Sequence, residues 1–419
     1  MKIAFISHEY PPDTALGGIA TYVYQVSRLL QSRGHQVEIF SCSPYREGME
    51  IEDGIAVHRI SNVTMEAFSQ RIAPVFEKRH RQIHFDVIEG SEIEAPAQGP
   101  IELVPDIPLV VKLHTPKFLI DSLAKSAIHP ITKVRHSINL LRLGRNPIQF
   151  WHYDPKSDPE RLHTLAADEV VILTQSMADK VQRLWGLSAD QFSYVPNPYV
   201  PSPDLLKIPV DTQTQTVTFL GRLESRKGVV ELAKAIPFVV KQCPDVKFRF
   251  VGKSRVAPNL KMSMDQYLGK ILRQCRDSVE FIDGVSLEEI PSILATTDVC
   301  AFPSHWENFP NVCLEAMAAA RGIVGSAEGG MNEMLDGGQV GKLVNPKQPR
   351  QIATAIIELL GNPKQRMAMG QAARQRLLVE YNAERIGTLL EESYTRAIQR
   401  RQTAGSRHPI PQKLTTRLG

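Results

Sequence analysis

The sequence predicts an α/β protein of two domains, each a doubly wound parallel sheet covered by helices. Its 419 residues exceed the length at which a single core usually keeps growing. Short apolar runs such as 3–7 and 216–220 alternate with amphipathic helical patterns, which is typical of strands buried on both faces. A proline-dense segment at 196–203 indicates a linker between the two halves.

The first half opens with a βαβ unit, which implies a parallel sheet with right-handed crossovers. Its loop ends in Gly17 and Gly18, just ahead of a helix over about 20–33. These glycines let the backbone approach a ligand closely, and a plain flexible loop is the alternative. His114 follows a predicted strand at 109–113, where ligands bind in open α/β sheets; a purely structural histidine is the alternative. The other predicted strands are 36–41, 55–60, 86–89, 168–176 and 192–195.

The second half restarts with a strand at 216–220 and a loop that carries Arg222 and Lys227 between Gly221 and Gly228. Because arginine offers a planar fork and lysine a point charge, this loop is a natural pyrophosphate site. A solvated basic loop is the alternative. Further strands are predicted at 247–251, 279–282, 298–302 and 322–325, and helices at 229–241, 349–360, 363–380 and 383–400.

Two carboxylates, Glu307 and Glu315, flank the start of a helix that is predicted from about residue 311. Free N–H groups and the positive helix end favour a phosphate there, and Glu315 can accept hydrogen bonds from vicinal hydroxyls such as those of a ribose. Glu307 would then lie beside a sugar attached to that phosphate. The alternative is that Glu315 merely complements the helix dipole. The backbone predicted to face the phosphate is that of Phe309, Pro310, Asn311 and Val312.

Positive charge is concentrated in two segments, although the net charge is only +4. Residues 116–153 carry +5 and residues 393–419 carry +6, which points to a surface that meets something anionic. The segment 118–143 is predicted to be a helical insert near the acceptor side, with a break at Pro130. It is either a solvated basic face or a contact for an anionic membrane surface or a lipid-phosphate acceptor. Residues 401–419 are expected to be disordered.

The sequence argues against a metal site, a secreted protein and a membrane-spanning protein. The five cysteines are odd in number and widely spaced, which indicates free thiols in a reducing cytoplasm and no metal site. The apolar run at 2–7 is too short for a signal peptide, and no run approaches the ~20 apolar residues of a membrane span. We therefore expect a cytoplasmic protein, or one peripheral on the inner face of the membrane, without cofactor, metal or nucleic acid.

The Glu307-x7-Glu315 pattern around Phe309-Pro310 resembles the donor-site signature of the family 4 glycosyltransferases, retaining enzymes of the GT-B fold. Gly221-Arg222 with Lys227-Gly228 is similar to the donor-phosphate motif of that family. Val-Lys-Leu-His114-Thr resembles its histidine-bearing strand end, and Gly329-Gly330-x-x-Glu333 resembles its Gly-Gly-x-x-Glu loop. The sequence departs from the family pattern at Asn308 and at Pro198, where glycine is usual.

The resemblance implies two Rossmann-like domains facing a cleft, with the last helix crossing back to the N-terminal domain. It implies an acceptor-side domain at 1–198 with a basic insert at 117–150, a donor domain at 199–380, a crossover helix at 381–400 and a tail at 401–419. A sugar would pass from a nucleotide diphosphate sugar to a polysaccharide, lipid or small metabolite. Glu307 and His114 would be catalytic, while Arg222 and Lys227 would hold the diphosphate. The alternatives are a non-catalytic sugar-nucleotide or membrane-binding subunit and a related phosphorylase or epimerase.

Overall fold

A computed structural model describes residues 1–14, 17–126, 128, 130–258 and 262–407. The chain forms two compact units. The first comprises Met1–Lys117, Asp154–Pro198 and the described part of Ala383–Gly419, and the second comprises Phe118–Tyr153 and Tyr199–Asn382. Residues 118–153 thus group with the second unit, whereas the sequence placed the insert in the first domain. The difference arises because the sequence shows chain connectivity and does not show which unit the insert packs against.

The strands alternate with helices along most of the chain. In order they are β1 Lys2–Ile6, β2 Gln36–Ser43, β3 Gly48–Glu52, β4 Ile55–Ser61, β5 Val87–Ser91, β6 Leu109–Leu113, β7 Glu169–Ile172, β8 Phe192–Tyr194, β9 Thr216–Leu220, β10 Lys247–Val251, β11 Val279–Ile282, β12 Val299–Phe302, β13 Gly322–Ser326 and β14 Lys342–Val344.

The α-helices of the first half are α1 Gly18–Ser32, α2 Met65–Ile83, α3 Gln98–Leu103, α4 Lys117–Ser126, α5 Pro130–Arg142, α6 Pro147–Trp151, α7 Pro159–Leu165 and α8 Gln175–Trp185. Those of the second half are α9 Pro203–Lys207, α10 Val229–Gln242, α11 Met264–Ile271, α12 Ile290–Ala295, α13 Asn311–Ala318, α14 Met331–Met334, α15 Pro349–Gly361, α16 Pro363–Glu380 and α17 Ala383–Ala404.

The first unit contains an eight-stranded sheet in the order β3-β4-β2-β1-β5-β6-β7-β8. β1 lies parallel between β2 and β5, with Ile3 opposite Val37 on one side and Val87 on the other. Among the described strands of this sheet, the edge strand β3 alone is antiparallel, and it pairs with β4. The sequence did not predict β3, because its side chains are mostly exposed and it lacks the apolar run of a buried strand. The doubly wound parallel sheet is confirmed for this unit.

The second unit contains a six-stranded parallel sheet in the order β11-β10-β9-β12-β13-β14. β9 lies between β10 and β12, so the chain reverses its direction of winding at this strand. The loops after β9 and β12 therefore emerge side by side at the carboxyl edge of the sheet, where open α/β sheets bind ligands. The core combines these strands with α10 and α15, including Phe219, Ile236, Phe250 and Ile356.

The last helix, α17, packs into the core of the first unit, which confirms the predicted return of the C-terminal helix. Ile386, Leu390, Tyr394 and Ala397 are buried with residues of β1 and β2. The helix continues to Ala404 and Arg407 is also hydrogen-bonded, so the prediction of disorder from residue 401 is wrong for residues 401–407. The remainder of the predicted tail from 408 onward lies outside the described residues.

Buried carboxylates explain why the C-terminal segment is ordered through residue 407. Asp168 accepts hydrogen bonds from Arg401 and Arg407, and Glu169, at the start of β7, accepts from Arg396 at 3.0 Å and from Arg400. Both carboxylate side chains are almost completely buried. The four described arginines of this segment are therefore paired within the unit, two with each buried carboxylate. Among the described residues, no helix is long and apolar enough to span a bilayer.

Candidate active site

Two loops at the carboxyl edge of the second sheet are in close contact. Gly228 adopts a φ of +72°, and a β-carbon there would lie 1.8 Å from the carbonyl oxygen of Pro303, so only glycine allows this approach. The N–H of His305 donates to the carbonyl oxygen of Arg226 at 2.8 Å. The loop after β9 and the loop after β12 are thus fixed against each other, as the neighbouring strands require.

Glu307 lies where these two loops meet. Its carboxylate pairs with Lys227 and with Arg226, the latter at 3.0 Å, and its side chain is only 11% exposed. Burial alone would raise the pKa of Glu307, but the charges of Lys227, Arg226 and Arg222 outweigh it, so the pKa lies below the ordinary value. Glu307 is therefore held as a carboxylate among three cations.

The cations are arranged differently from the sequence prediction. Arg222, predicted as a donor-phosphate ligand, is half exposed and lies 3.4 Å from Glu224. Arg226, to which the sequence assigned no role, bridges Glu224 at 2.9 Å and Glu307 at 3.0 Å. The 3₁₀ turn Ser225–Lys227 brings Arg226 and Lys227 together on the buried carboxylate. Sequence analysis missed Arg226 and Glu224, although their place beside Lys227 in a strand-end loop was a usable signal.

A second glycine loop supports the backbone of Glu307. The N–H of Gly330 donates to the carbonyl oxygen of Glu307 at 2.8 Å. Gly329 has a φ of +78°, and a β-carbon there would lie 2.3 Å from the same oxygen. Glycine is therefore required at position 329, whereas Gly330 contributes a backbone N–H that any residue except proline could donate. Both positions hold the chain that carries Glu307.

The helix that follows, α13, begins at Asn311 with Pro310 at its N-cap. The amide groups of Asn311 and Val312 lie in the first turn, where no intrahelical acceptor exists, and they sit at the positive end of the helix dipole. Pro310 was predicted to face a phosphate, but it has no N–H and cannot donate. The ring of Phe309 is buried and meets the ring of Tyr381 edge to face at 5.1 Å, so its side chain contributes to packing.

Glu315 lies one turn further along α13. It is partly buried, and burial raises its pKa to about 7. Within the described ranges, its carboxyl group has no hydrogen-bond or ion-pair partner. Burial, and to a smaller extent the charge of Glu315, raises the pKa of Tyr199. A poorly solvated carboxyl group without a protein donor gains free energy from any ligand that supplies hydroxyl donors.

Gly17, Gly18 and His114 lie in the first unit, and the other predicted site residues lie in the second. Gly17 is the N-cap of α1, and a β-carbon there would lie 3.2 Å from a carboxylate oxygen of Glu9. No atom of the described residues lies within 4 Å of the equivalent point at Gly18, so no contact within that part of the chain requires glycine there.

His114 follows β6, as predicted, at the carboxyl edge of the first sheet. Its backbone N–H donates to Glu92 at 2.9 Å, and its ring meets Tyr22 edge to face with the centroids 5.2 Å apart. Burial, and to a smaller extent the charge of Lys112, lowers the pKa of His114 to about 3. The imidazole is therefore neutral at any physiological pH, and it can both donate and accept a hydrogen bond.

A buried polar network that the sequence did not reveal lies beside His114. Glu89 accepts hydrogen bonds from Tyr22 at 2.8 Å and from Tyr394 at 2.6 Å. Lys112 donates to the carbonyl oxygen of Val195 at 2.9 Å, and burial lowers its pKa to about 7. Burial also raises the pKa of Glu89. Glu89 and Lys112 each lie in a central strand whose other residues are mostly apolar. The sequence pattern of β5 and β6 therefore predicts buried strands but not this network.

Two further carboxyl groups fix the loop between β6 and α4. Glu92 accepts from the N–H of His114, and Glu160 accepts from the N–H of Lys117 at 2.8 Å. Burial raises the pKa of Glu92 to about 8, with a further contribution from the nearby charge of Glu160. Burial likewise raises the pKa of Glu160 to about 7. These acids position the segment that carries His114.

Metal-ligating side chains are not clustered in the described part of the chain. No group of three histidine, cysteine, aspartate or glutamate residues there is placed to hold a metal ion. The five cysteines are free thiols.

Two family models match the chain. The family described as Glycosyltransferase Family 4 matches residues 16–202, and the family described as Glycosyl transferases group 1 matches residues 214–362. The two matches together span most of both units.

Known proteins with similar sequences and structures cover almost the whole chain. Glycogen synthase of Mycobacterium tuberculosis is 24% identical over an alignment that includes 98% of this chain and 97% of that protein. Sucrose-phosphate synthase of Thermosynechococcus elongatus superimposes with a TM-score of 0.70 at 20% identity, over 95% of this chain and 99% of that structure. Anabaena HepE, solved with UDP and glucose, superimposes with a TM-score of 0.62 at 19% identity, over 94% and 99%. The predicted GT-B fold is thereby confirmed, and the chain belongs to glycosyltransferase family 4 and is a glycosyltransferase.

Proposed function

We propose that this enzyme transfers a sugar from a nucleoside diphosphate sugar to a hydroxyl acceptor with retention of anomeric configuration. The observation that carries the proposal is the pairing of Arg226 and Lys227 with the buried Glu307 beside the N-terminus of α13. A diphosphate carries charge that these cations and the free amides of α13 can neutralise. Such preorganised charge stabilises a leaving group as it departs.

The site residues take distinct roles in this proposal. Lys227, Arg226 and the more exposed Arg222 neutralise the diphosphate, and the amides of Asn311 and Val312 contribute at the helix terminus. Glu315 accepts hydrogen bonds from the vicinal hydroxyls of the ribose. These bonds provide the donors that its buried carboxyl group lacks among the described residues.

Glu307 positions the transferred sugar and stabilises positive charge at its anomeric carbon. Its lowered pKa keeps it ionised, as that role requires. The neutral imidazole of His114 hydrogen-bonds to sugar hydroxyls. The acceptor hydroxyl forms its bond to the anomeric carbon on the face that the diphosphate leaves, and a phosphate oxygen receives the hydroxyl proton. Neither an enzymic nucleophile nor a metal is needed, because side-chain cations neutralise the leaving group.

The solved complex of HepE with UDP and glucose supports a nucleotide sugar as donor for this fold. The acceptor is a carbohydrate, a lipid or a small metabolite that bears a free hydroxyl. We also propose that the enzyme acts as a peripheral protein on the inner face of a membrane. This location is supported by the +5 charge of residues 116–153, which contrasts with the internally paired arginines of the C-terminal segment.

The direct test is the release of nucleoside diphosphate from UDP-, ADP-, GDP- and TDP-glucose in the presence of EDTA. We expect release from one donor to stand out, and proton NMR should show the sugar of an α-configured donor delivered in the α configuration. A β-configured product would overturn retention. Sugar phosphate formed only when phosphate is added would indicate a phosphorylase, and an epimerised nucleotide sugar would indicate an epimerase. Absence of any turnover would favour a non-catalytic subunit.

A further inference from the structure

The basic insert is built from α4, α5 and α6, and one face of α5 packs against α6. The indole N–H of Trp151 donates to the hydroxyl oxygen of Ser137 at 2.9 Å. The ring of His136 lies 4.7 Å from that of Phe150, and Leu140 is buried. These contacts fix which side of α5 points inward.

The opposite side of α5 presents a row of large aliphatic side chains to solvent. Ile131, Val134, Ile138 and Leu141 are 59%, 60%, 46% and 63% exposed. Their spacing of three, four and three residues aligns them along one stripe of the helix. Single exposed apolar residues are ordinary, but a contiguous row indicates a surface that is covered in the functional state.

Arginines border this row. Arg135 and Arg142 each follow a member of the row by one residue, which places them beside the apolar stripe, and both are exposed. Lys133 lies on the other side of the helix, near the ring of Trp151. The segment 116–153 contains one acid, Asp121. The face is therefore apolar along its middle and cationic at its edge.

This combination discriminates between the partners that could cover the row. A nucleic acid would pair with the arginines but would leave the aliphatic side chains in water. A second copy of the chain would bring two segments of +5 charge together, which is electrostatically unfavourable. An anionic bilayer satisfies both features, because acyl chains take up the aliphatic row and phosphate headgroups pair with the arginines.

We propose that the stripe Ile131, Val134, Ile138 and Leu141 of α5, bordered by Arg135 and Arg142, docks into the interface of an anionic lipid bilayer. The proposal rests on the peripheral location proposed above and is independent of the sugar that the enzyme transfers. It assigns membrane contact to the insert, and the paired arginines of the C-terminal segment have no part in it.

Co-sedimentation of the full chain with vesicles tests the proposal. We expect binding to vesicles of phosphatidylcholine mixed with phosphatidylglycerol, and little binding to phosphatidylcholine alone. The double variant Ile138→Ser/Leu141→Ser should reduce the partition coefficient about tenfold or more, because two aliphatic side chains no longer enter the apolar region. Arg135→Gln/Arg142→Gln should reduce it by about fivefold per charge and weaken its salt dependence.

Matched variants outside the insert serve as controls. Val200→Ser/Leu287→Ser removes two side chains that are 72% and 76% exposed, and Arg273→Gln/Arg276→Gln removes two exposed charges. Neither control pair should change vesicle binding. A variant Ile138→Trp gives an independent readout, since its emission should shift to shorter wavelength with anionic vesicles.

Three results would overturn the proposal. The first is absence of binding to anionic vesicles, and the second is equal binding by Ile138→Ser/Leu141→Ser and the unmodified protein. The third is concentration-dependent self-association without vesicles that this double variant abolishes, which would show that a second copy covers the row. Failure of the sugar-transfer function would be visible separately, as absent nucleotide release by a protein that still binds vesicles.

Discussion

The two units build similar parallel sheets, but the pKa of Glu92 in the first unit and that of Glu307 in the second are shifted in opposite directions. In the first unit, burial shifts pKa values toward the neutral forms, to about 8 for Glu92, about 7 for Lys112 and about 3 for His114. In the second unit, three cations outweigh burial and lower the pKa of Glu307. The comparison shows that two units with the same fold can have different electrostatics, because a few side chains determine the pKa shifts in each.

The physical reason lies in where those side chains originate. Lys112 is on the central strand β6, and the Glu89 carboxylate is covered by Tyr394 of α17, so solvent is excluded. Arg226, Lys227 and Glu307 lie on loops. Their opposite charges pair there, and the three side chains remain partly exposed to solvent. A largely neutral edge suits the hydroxyl groups of a sugar, and a charged edge suits a diphosphate. Substitutions in each unit test that division.

Glu307→Gln removes the negative charge that pairs with Arg226 and Lys227 in the second unit. We expect kcat/KM to fall by about 10³-fold, or about 4 kcal/mol, because a preorganised charge at the reacting centre is lost. Nucleoside diphosphate binding should persist, since Lys227 and Arg226 remain. Steady-state kinetics and calorimetry measure the two effects. Glu288→Gln, an exposed residue, is the control for charge, and unchanged turnover in Glu307→Gln would reject the assigned role.

Arg226→Gln should impair turnover more than Arg222→Gln. Arg226 bridges two carboxylates and is 17% exposed, whereas Arg222 is 51% exposed and, among the described residues, forms an ion pair with Glu224 only. We expect kcat/KM to fall by about 10²-fold for Arg226→Gln and about tenfold for Arg222→Gln, since a desolvated charge interacts more strongly with phosphate. A larger loss for Arg222→Gln would restore the order of importance that the sequence suggested.

Glu92→Gln should change how the stability of the first unit depends on pH. The folded pKa of about 8 lies above the ordinary value of 4.5, so the folded state holds an extra proton between these values. Stability from this group is complete below pH 4.5 and is lost as the pH rises through 8. Urea unfolding should therefore show that Glu92→Gln is more stable than the unmodified protein at pH 9 by on the order of 2 kcal/mol. The difference should vanish near pH 4.5, and equal profiles would contradict the burial argument.

Glu315 should make nucleotide affinity depend on pH near neutrality. Its pKa of about 7 leaves it partly protonated there, and a carboxylate is a better acceptor than a carboxylic acid for the two ribose hydroxyls proposed above. Nucleoside diphosphate binding should weaken by roughly tenfold from pH 8 to pH 6. At pH 6, about one unit below its pKa, the free Glu315 carboxyl group is mostly protonated and must lose this proton when the ligand binds. Glu315→Gln should bind more weakly at pH 8 and lose this dependence. Calorimetry at several pH values makes the measurement, and an identical pH profile in the variant would exclude Glu315 as the titrating group.

The sequence was sufficient to place Glu307 and Lys227 in loops at the same edge of the second sheet, although 80 residues separate them. It did not predict that the two side chains form an ion pair. Both follow apolar strands, and carboxyl ends of parallel strands share one edge of a sheet. The two parallel sheets could be predicted for the same reason, since buried strands read as apolar runs. The Gly-Gly motif at 329–330 was also recognisable, but its contact with the carbonyl oxygen of Glu307 was not.

Other features depend on partners that no local pattern identifies. The arginines from 396 to 407 read as a free basic tail, because their carboxylate partners, Asp168 and Glu169, lie more than 200 residues away. Lys112 lies in an otherwise apolar strand, and nothing in the local pattern identifies Val195 as its partner. Charge runs alone therefore could not separate the insert, whose arginines are exposed, from the C-terminal segment, whose arginines are paired.

Thermal unfolding with UDP, GDP, ADP and TDP, each at one concentration, tests the central assignment of a nucleoside diphosphate site to the second unit. A ligand at 100 times its dissociation constant stabilises the native state by about 2.7 kcal/mol. We expect one nucleotide to raise the unfolding midpoint well above the others. The increase should disappear in Lys227→Met and remain in Lys241→Met, which removes an exposed lysine of α10. An absence of any shift, or a shift that survives Lys227→Met, would contradict the assignment.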